Sequence, residues 1–517
     1  VNTEQVPIRT RIARLGIGGG LGIIAAGAAL GVGELIAAFT GAATAPALAV
    51  GSAMVNLAPH AVKDFAVREF GTNDKLVLVS GVLAGLVALA AIAGILALRR
   101  LWLGVAIVVA FGVVGMLTAA TGPATTAVSV LPSLGAAVTG AFALVLLVRI
   151  RRREPVSVAA TGFSRRQLLI ACGSVALFAA ATAVGGQYLQ SALDSVTASR
   201  NRIRLPRPAS PAPALPAGHQ FQIDGLTPYF TPNNDFYRVD TALALPQVPA
   251  EQWSLTVHGM VRNPVRMSYQ DILGMPLVER DITLSCVSND VGGPYVSTAR
   301  WLGVPLSTVL NKGGVQSGAT QLLSTSTDGM TIGSPTEIVL DGRDALLAIA
   351  MNGEPLPIEH GFPARLLVPG LFGYASATKW VTDLELTTFA AQPYWVQRGY
   401  DRTGAVKTGS RIDLPRPFAQ VKAGPVTVAG VAYDQHHGIS AVQVRVDGGP
   451  WQEAELATQV SLDTWRQWRL TWPATAGSHQ IEVRAADGRG NLQPQARTPV
   501  FPSGATGWEL VVVTVTT

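Results

Sequence analysis

Cysteine is nearly absent from this 517-residue sequence, which has only Cys172 and Cys286. Cys172 falls in an apolar run and Cys286 in a polar stretch, so a disulfide framework is excluded and each needs its own explanation. Charge is scarce too: 14% charged against 48% hydrophobic residues excludes a disordered or fibrous chain. The scarcity is uneven. Residues 16–148 hold nine charged side chains, whereas residues 200–517 hold 51, the pattern of a membrane part joined to a soluble part. Histidine is missing from residues 1–199 except at His60, so this chain alone cannot supply bis-histidine ligation of a membrane haem. The net charge of +6 is no nucleic-acid footprint: residues 1–199 carry 14 Lys+Arg against 7 Asp+Glu, and residues 200–517 carry 25 against 26. A near-neutral soluble part has no surplus of cations for phosphates, and no nucleic acid partner is expected.

What is present begins with apolar runs. About 20 apolar residues are needed to cross a hydrocarbon core. Residues 15–39, 76–98, 101–120 and 167–191 reach that length, as does 125–148 despite Pro132. The segment 44–66 contains Pro46, Pro59, His60, Lys63 and Asp64 and reads as a re-entrant or surface-lying helix. Arginines flank the spans at Arg9, Arg11 and Arg14, at Arg99 and Arg100, and from Arg149 to Arg166. Five spans put all of these on one side, and a sixth would split them. The expectation is a multi-pass protein of the cytoplasmic membrane, bathed in membrane lipid, with a cytoplasmic N-terminus and its C-terminal domains extracytoplasmic. Ser164-Arg165-Arg166-Gln167-Leu168-Leu169 reads equally as a basic flank or as a twin-arginine signal, an address for proteins exported folded. No clean small-residue cleavage site follows it, so the segment stays as an anchor. Glu34, near the outer end of the first span, reads as reaching interfacial water more readily than as a functional acid.

The fold expected is multidomain: an α-helical transmembrane domain (1–199), a Pro-rich linker (200–219), an α+β domain (220–415) and an immunoglobulin-like β-sandwich (416–517). The linker carries Pro206, Pro208, Pro211, Pro213 and Pro216, which stiffen it. In the α+β domain Trp253–Val257 reads as a strand, and helices are expected from Ser268 and over Leu306–Lys312. The sandwich follows from short strands such as Val426–Val431 and Ile481–Ala486, with a hairpin at Asp447-Gly448-Gly449. Trp465, Trp468 and Trp472 read there as packing residues.

Chemistry points to Cys286. It ends the apolar strand Ile282–Ser285 and opens a loop with Ser288, Asn289, Gly292 and Gly293. A lone cysteine is more often a buried small hydrophobe. A strand end opening into a Gly-rich loop, however, lets backbone amides converge on an anion, and a thiolate there suits a soft transition metal.

These residues also resemble a known family. Thr283-Leu284-Ser285-Cys286-x-x-Asn289-x-x-Gly292-Gly293, Trp301-x-Gly303-Val304-Pro305-Leu306, Met351-Asn352-Gly353-Glu354-Pro355 and His360-Gly361-Phe362-Pro363-Ala364-Arg365 resemble, in order, the sulfite-oxidase family of molybdopterin enzymes. The resemblance runs over roughly residues 220–500. It implies a molybdenum-molybdopterin cofactor (Mo-MPT) with Cys286 as metal ligand and catalytic centre. Asn233–Arg238 is similar to the strand leading into the pterin site of the bacterial sulfoxide-reducing branch. On that match Asn234, Tyr237 and Arg238 line the pterin, although the branch usually has an acid where Arg238 stands. His360 and Arg365 match holders of the pterin and its phosphate, and Asn289, Ser326, Ser376 and Lys379 match further contacts.

Two departures bear on substrate. Ile349-Ala350 stands where many sulfite-oxidising members carry Tyr-Glu, and no arginine follows Cys286 closely; Arg300, Arg398 and Arg411 are the remaining cations for an anionic pocket. The expectation is therefore a membrane-anchored oxidoreductase performing oxygen-atom transfer on a small-molecule or protein sulfoxide, with a separate haem protein or quinone as electron partner. Sulfite oxidation is the alternative within the enzyme class. A non-enzymatic membrane binding or assembly subunit with a retained cofactor fold is the alternative outside it.

Overall fold

A computed structural model describes residues 8–58, 62, 65, 69, 74–121, 127–152, 163–193 and 196–517. The chain divides into two units: Val1–Ser195 with Asp240–Leu245, and Val196–Val239 with Pro246–Thr517.

The first unit is helical: α1 (Ile8–Thr40), α2 (Pro46–Leu57), α3 (Asp74–Arg99), α4 (Leu101–Ala120), α5 (Leu131–Arg152) and α6 (Phe163–Leu193). Five stretches among the described residues are long and apolar enough to cross a membrane: Leu15–Thr40, Leu76–Arg99, Leu101–Ala120, Ala127–Arg152 and Leu169–Gly186. Pro132 does not interrupt its helix because it sits in the first turn of α5, where its missing N–H costs nothing. With 12 residues, α2 extends only about 18 Å and does not span. Much of the remainder of 44–66, including His60, lies outside the described residues.

Small residues bring these helices together. A Cβ at Gly22 would collide with the Ala90 carbonyl, and one at Gly94 with Gly18, so α1 and α3 meet backbone to backbone. Along α6 the neighbours rise with those of α1: Gly27 lies near Ala179, Gly31 near Thr182 and Leu35 near Gly186, so the two helices are parallel. Arg152 Nη2 donates to the Ala97 carbonyl at 2.9 Å, tying the end of α5 to the end of α3, where a cation complements the exposed carbonyls. The starts of α1 and α6 and the ends of α3 and α5 therefore share one end of the unit.

The second unit opens with a short helix, α7 (Val196–Arg202), and holds two halves. The first is built on β1 (Ser254–Gly259), β2 (Val265–Ser268), β3 (Val278–Ser285), β4 (Val296–Pro305), β5 (Gln321–Ser326), β6 (Thr331–Pro335), β7 (Leu346–Met351), β8 (Glu354–Pro355), β9 (Arg365–Leu367) and β10 (Val381–Thr387). One sheet has the order β2-β1-β10-β5-β6; the other runs β3-β4-β7-β8, with β9 also paired to β7. Short helices α8 (Tyr269–Leu273), α9 (Leu306–Gly313), α10 (Thr336–Val339) and α11 (Gly373–Ser376) link them. The two helices expected from sequence are α8, opened by a Ser268–Asp271 capping box, and α9. Buried on every residue, β7 reads as an unbroken apolar run, as a strand covered on both faces should.

The second half comprises β11 (Gly409–Leu414), β12 (Gln420–Lys422), β13 (Gly424–Tyr433), β14 (Ile439–Val446), β15 (Gln452–Glu453), β16 (Glu455–Leu456), β17 (Arg466–Ala474), β18 (Gly477–Asp487) and β19 (Glu509–Thr516). Its sheets are β11-β13-β17-β16 and β12-β19-β18-β14-β15. They share one core: Val428, Trp468 and Trp472 from one sheet meet Val444, Val483 and Val513 from the other. The buried positions of β19 alternate, as a half-covered strand requires. Gly409–Leu414, just before Pro415, pairs with β13 and so belongs to this second half.

The proline-rich stretch differs from a free spacer. The N–H groups of Ala209 and Glu279 and the carbonyls of Leu277 and Ser210 bond residues 209–210 to the start of β3, and Thr458 N–H donates to the Gly218 carbonyl. An extended proline-rich backbone has unpaired carbonyls, which these contacts use.

Candidate active site

Cys286 leaves the end of β3 and turns into the glycine-rich loop. Its N–H donates to the Tyr295 carbonyl at 2.9 Å, and the Ser288 N–H points at Sγ from 3.4 Å. The side chain is 8% exposed. Burial pushes its thiol up, against the opposing pull of Ser288 and of the Lys379 charge. Asn289 closes the loop: its Oδ1 accepts from Tyr295 N–H at 2.7 Å and its Nδ2 donates to the Tyr433 hydroxyl at 3.0 Å. A Cβ at Gly293 would stand 2.6 Å from that Oδ1, so the clasp requires glycine there.

The second half of the unit braces this strand. Trp465 N–H donates to Thr283 Oγ1 at 2.8 Å and Gln435 Nε2 to Ser285 Oγ at 2.9 Å. Sequence reading missed Tyr433, Gln435 and Trp465 as supports of the Cys286 loop. They lie some 150 to 180 residues downstream, and no spacing rule connects them.

Facing the loop is an aromatic wall. Phe236 packs edge-on against Trp301 and His360, and Tyr237 stacks on Phe236. Tyr237 is fixed by its N–H, which donates to Ser297 Oγ at 3.2 Å. A Cβ at Gly373 would lie 3.7 Å from the Tyr237 hydroxyl and 3.8 Å from the Ser285 carbonyl, so Tyr237 reaches the residue before Cys286. Its phenol is raised by burial first and by Cys286 second.

Basic groups complete the enclosure. His360 Nε2 bonds the Asn233 carbonyl at 2.9 Å as donor, leaving Nδ1 as the acceptor of a neutral ring. Burial and the neighbouring Arg365 pull its pKa down to about 4. Arg365 opens β9, lies 5.2 Å over the Trp301 ring and donates from Nη1 to the His360 carbonyl at 3.1 Å. It is only 5% exposed, and burial pulls it down to about 10. Lys379 Nζ donates to the Glu359 carbonyl at 3.1 Å. Gly361, at φ +110°, is the pivot: a Cβ there would press on both Arg365 and Lys379 at 3.1 Å.

Cys286, Tyr237, His360, Arg365 and Lys379 are thus brought together. Other expected residues are placed differently. Asn233–Arg238 is a turn, not a strand, because Asp235 and Phe236 N–H groups fold back onto the Pro232 carbonyl, as Pro-Asn-Asn-Asp favours. Asn234 and Arg238 in it are exposed. The Asn289 amide bonds Tyr295 of its own loop and Tyr433 of β13. Ser376 is fully buried with its hydroxyl on the Leu371 and Phe372 carbonyls. Ser326 ends β5 opposite Val381, two residues beyond Lys379, and its buried Oγ has no partner among the described residues. Of the three arginines expected to form an anionic pocket, Arg300 is held bidentate by Asp281 and Arg411 pairs with Asp413 at 2.7 Å. Arg398 Nη1 bonds the Tyr394 carbonyl.

Comparison with known proteins agrees with this geometry. The family model described as "oxidoreductase molybdopterin binding domain" matches residues 242–395, which hold Cys286, His360, Arg365 and Lys379. The Bacillus subtilis (strain 168) protein named uncharacterized oxidoreductase YuiH is 33% identical over 153 residues, 30% of this chain and 74% of that protein. This chain belongs to the sulfite-oxidase-type family of molybdopterin oxidoreductases. Human mitochondrial sulfite oxidase is 29% identical over 322 residues, covering 53% of this chain. This chain spans 59% of the length of that relative. The sulfane dehydrogenase SoxCD of Paracoccus pantotrophus superposes with a TM-score of 0.49 at 24% identity, over 56% of this chain and 85% of that one, too partially to bear on chemistry.

The family implies molybdenum-molybdopterin, and the residues present fit it. Arg365 is a buried cation with no ion pair among the described residues and an Nε lacking any partner. A cation so buried is costly unless an anion meets it, and a guanidinium suits phosphate through two charge-assisted bonds. The unpartnered Ser326 hydroxyl belongs to a residue paired with Val381, whose N–H bonds the Ala364 carbonyl next to Arg365. Cys286 is the one described thiol of the second unit.

Proposed function

We propose that the second unit is a molybdenum-cofactor-dependent enzyme transferring an oxygen atom, in a two-electron reaction, between water and a small oxo-compound such as a sulfoxide. The observation that carries this reading is the enclosure of Cys286 by Tyr237, His360, Arg365 and Lys379 around an uncompensated buried cation. When bound, the cofactor supplies the redox chemistry, and the protein supplies binding, orientation and electrostatics. Cys286 would provide the metal-binding thiolate, with the Ser288 N–H stabilising its charge. Arg365 and Lys379 would hold the phosphate and pterin, with His360 offering an acceptor and Ser326 a hydroxyl. Tyr237 would cover the thiol and exclude water. Asn234 and Arg238 would line the pterin from the turn, whereas Asn289 and Ser376 would act by holding the loop and α11 in shape.

An uncharged substrate is favoured over sulfite because Arg300 and Arg411 are neutralised by Asp281 and Asp413. Sulfite oxidation is the second reading, supported by the name of the human relative. Assaying both substrates with artificial electron donors and acceptors decides: sulfoxide reduction is expected, and turnover of sulfite alone overturns it. A Mo(V) paramagnetic signal on partial reduction would exclude a cofactor-free scaffold.

The same reading divides the chain into a membrane part (1–199), a docked proline-rich stretch (200–219), a catalytic domain (220–408) and an immunoglobulin-like sandwich that opens with β11 (409–517). Having the starts of α1 and α6 at one end with the arginine-rich ends of α3 and α5 supports a cytoplasmic N-terminus and an extracytoplasmic second unit. Electrons come from a separate haem protein or a quinone. A domain folded around its cofactor then needs the twin-arginine route, delivered by Arg165 and Arg166. Replacing both by Lys keeps the charge and is expected to leave the unit inside; a molybdenum-loaded unit outside would overturn this.

A further inference from the structure

The helix that opens the second unit stands at one end of a chain of bonds whose other end is His360. α7 is docked in its own right. Val196 is 1% exposed and joins the core of this half, while Ser199 Oγ donates to Glu251 Oε2 at 2.6 Å and accepts the Ala250 N–H at 2.9 Å. Arg202 pairs with the same Glu251 at 2.8 Å. The backbone of Arg200 is therefore set before its side chain meets anything.

That side chain holds the β7–β8 hairpin. Its Nε donates to the Leu356 carbonyl at 2.9 Å and its Nη2 to the Pro355 carbonyl at 2.7 Å, and Nη2 also meets Glu354 Oε2 at 3.0 Å. Glu354 passes the contact on, since its Oε1 accepts from Asn233 Nδ2 at 2.5 Å. Burial works to raise Glu354, but the bonds from Asn233 and Arg200 outweigh it and hold the carboxyl below its ordinary value. A carboxylate only accepts, so it fixes which end of the Asn233 amide faces it. The amide oxygen is left for Asn352 Nδ2 at 2.9 Å. The Asn233 backbone carbonyl then takes His360 Nε2 at 2.9 Å.

As a clip for a surface hairpin these contacts are redundant. The turn is already closed by Asn352 and Gly353, both at positive φ, 51° and 84°. An ion pair whose carboxylate is 50% exposed also adds little stability. What it adds is orientation, of the Asn233 amide and of the carbonyl that selects the His360 tautomer.

We infer that Arg200 is a positioning residue for the cofactor site, acting through Glu354 and Asn233 to hold His360 with Nε2 protonated and Nδ1 left as the acceptor. The inference rests on the molybdopterin reading for the part that His360 plays, whereas the coupling from Arg200 to His360 is measurable without cofactor. Groups that orient a ligand from behind typically weaken its binding about tenfold or more when removed.

The test uses the full chain, labelled with 15N-histidine and reconstituted in lipid, with and without cofactor. Solid-state NMR is recorded at about pH 7, where the His360 ring is neutral, and His360→Gln identifies its signals. The parent should show the Nε2–H tautomer alone. Arg200→Gln and Glu354→Ala should each mix the two tautomers and speed release of the pterin about tenfold. Glu354→Gln, which keeps an acceptor for Asn233, should restore the single tautomer and most of the retention. On a His360→Gln background Arg200→Gln should add nothing further, as two members of one chain require. An unchanged His360 tautomer in both Arg200→Gln and Glu354→Ala, or effects of Arg200→Gln and His360→Gln that simply multiply, would overturn the inference. A parent that binds no pterin would sink the molybdopterin reading instead, and the NMR comparison would still decide the coupling. Glu354→Ala, at a half-exposed position, keeps the test open if Arg200→Gln fails to fold.

Discussion

The ion pairs of the sandwich half and the Arg365 site of the other half hold their cations differently. In the sandwich half Arg445 meets Glu482 at 2.6 Å, Arg469 meets Glu455 at 2.8 Å and Arg411 meets Asp413 at 2.7 Å, each acid on the same or a neighbouring strand. In the other half Arg365 is more deeply buried than any of these, yet it has only a carbonyl and an aromatic face. Those three cations, like Arg300 in the catalytic half, are neutralised by the chain itself. An uncompensated buried cation is what a site for an anionic group requires, and that is the role proposed for Arg365.

The sharpest way to break this contrast is Cys286→Ser. Molybdenum, about one per chain in the native protein, should fall to a small remainder by elemental analysis, and activity should be lost with it. Arg365→Met comes next. Cofactor content should fall at least tenfold, while the cofactor-free protein keeps or gains stability, by up to about 3 kcal/mol, since an uncompensated buried charge has been removed. The opposite sign is expected where the chain supplies the partner: Asp281→Ala should cost on the order of 2 kcal/mol by denaturant melting, because Arg300 loses its bidentate carboxylate.

A smaller effect comes from Glu509, which accepts the Ile412 N–H at 2.6 Å and lies against Gly292 of the cysteine loop. Burial raises its pKa to about 7. Between its ordinary pKa near 4.5 and that value, the folded state holds a proton that the unfolded chain has released. Stability therefore falls as pH rises through this window. Glu509→Gln should flatten the slope and leave the protein about 2 kcal/mol more stable at pH 8 than the parent, read from melts at several pH values. The smallest effect is expected at the exposed Arg469–Glu455 pair, where Arg469→Ala should leave the melting temperature unchanged.

Much of this was legible in the sequence where one local signal decides. The five apolar spans, the capped helix after Ser268 and the strand ending at Cys286 each rest on periodicity or on a motif. The motif order also led to Cys286, His360, Arg365 and Lys379. What was not legible depends on pairing at a distance. Nothing near Arg300 or Arg411 says that Asp281 and Asp413 neutralise them; an acid 19 residues upstream or two residues downstream is common. Asn289 read as a cofactor contact because its motif places it beside the cysteine; that its amide also clasps Tyr295 and Tyr433 was not legible from the motif. The turn at Asn233–Asp235 was signalled by Pro232 and its asparagines, and the resemblance to a strand outweighed that signal. The proline-rich stretch looked like a spacer because composition reports stiffness and not what the backbone carbonyls find.

The most direct test of the central claim is X-ray absorption at the molybdenum edge of the purified full chain, beside Cys286→Ser prepared with whatever metal it retains. The native protein should show one sulfur ligand more than the variant, the Cys286 thiolate added to those of the pterin. Equal sulfur coordination in both, or a native chain that holds no molybdenum after expression with cofactor synthesis intact, would contradict the assignment of Cys286 as the metal ligand.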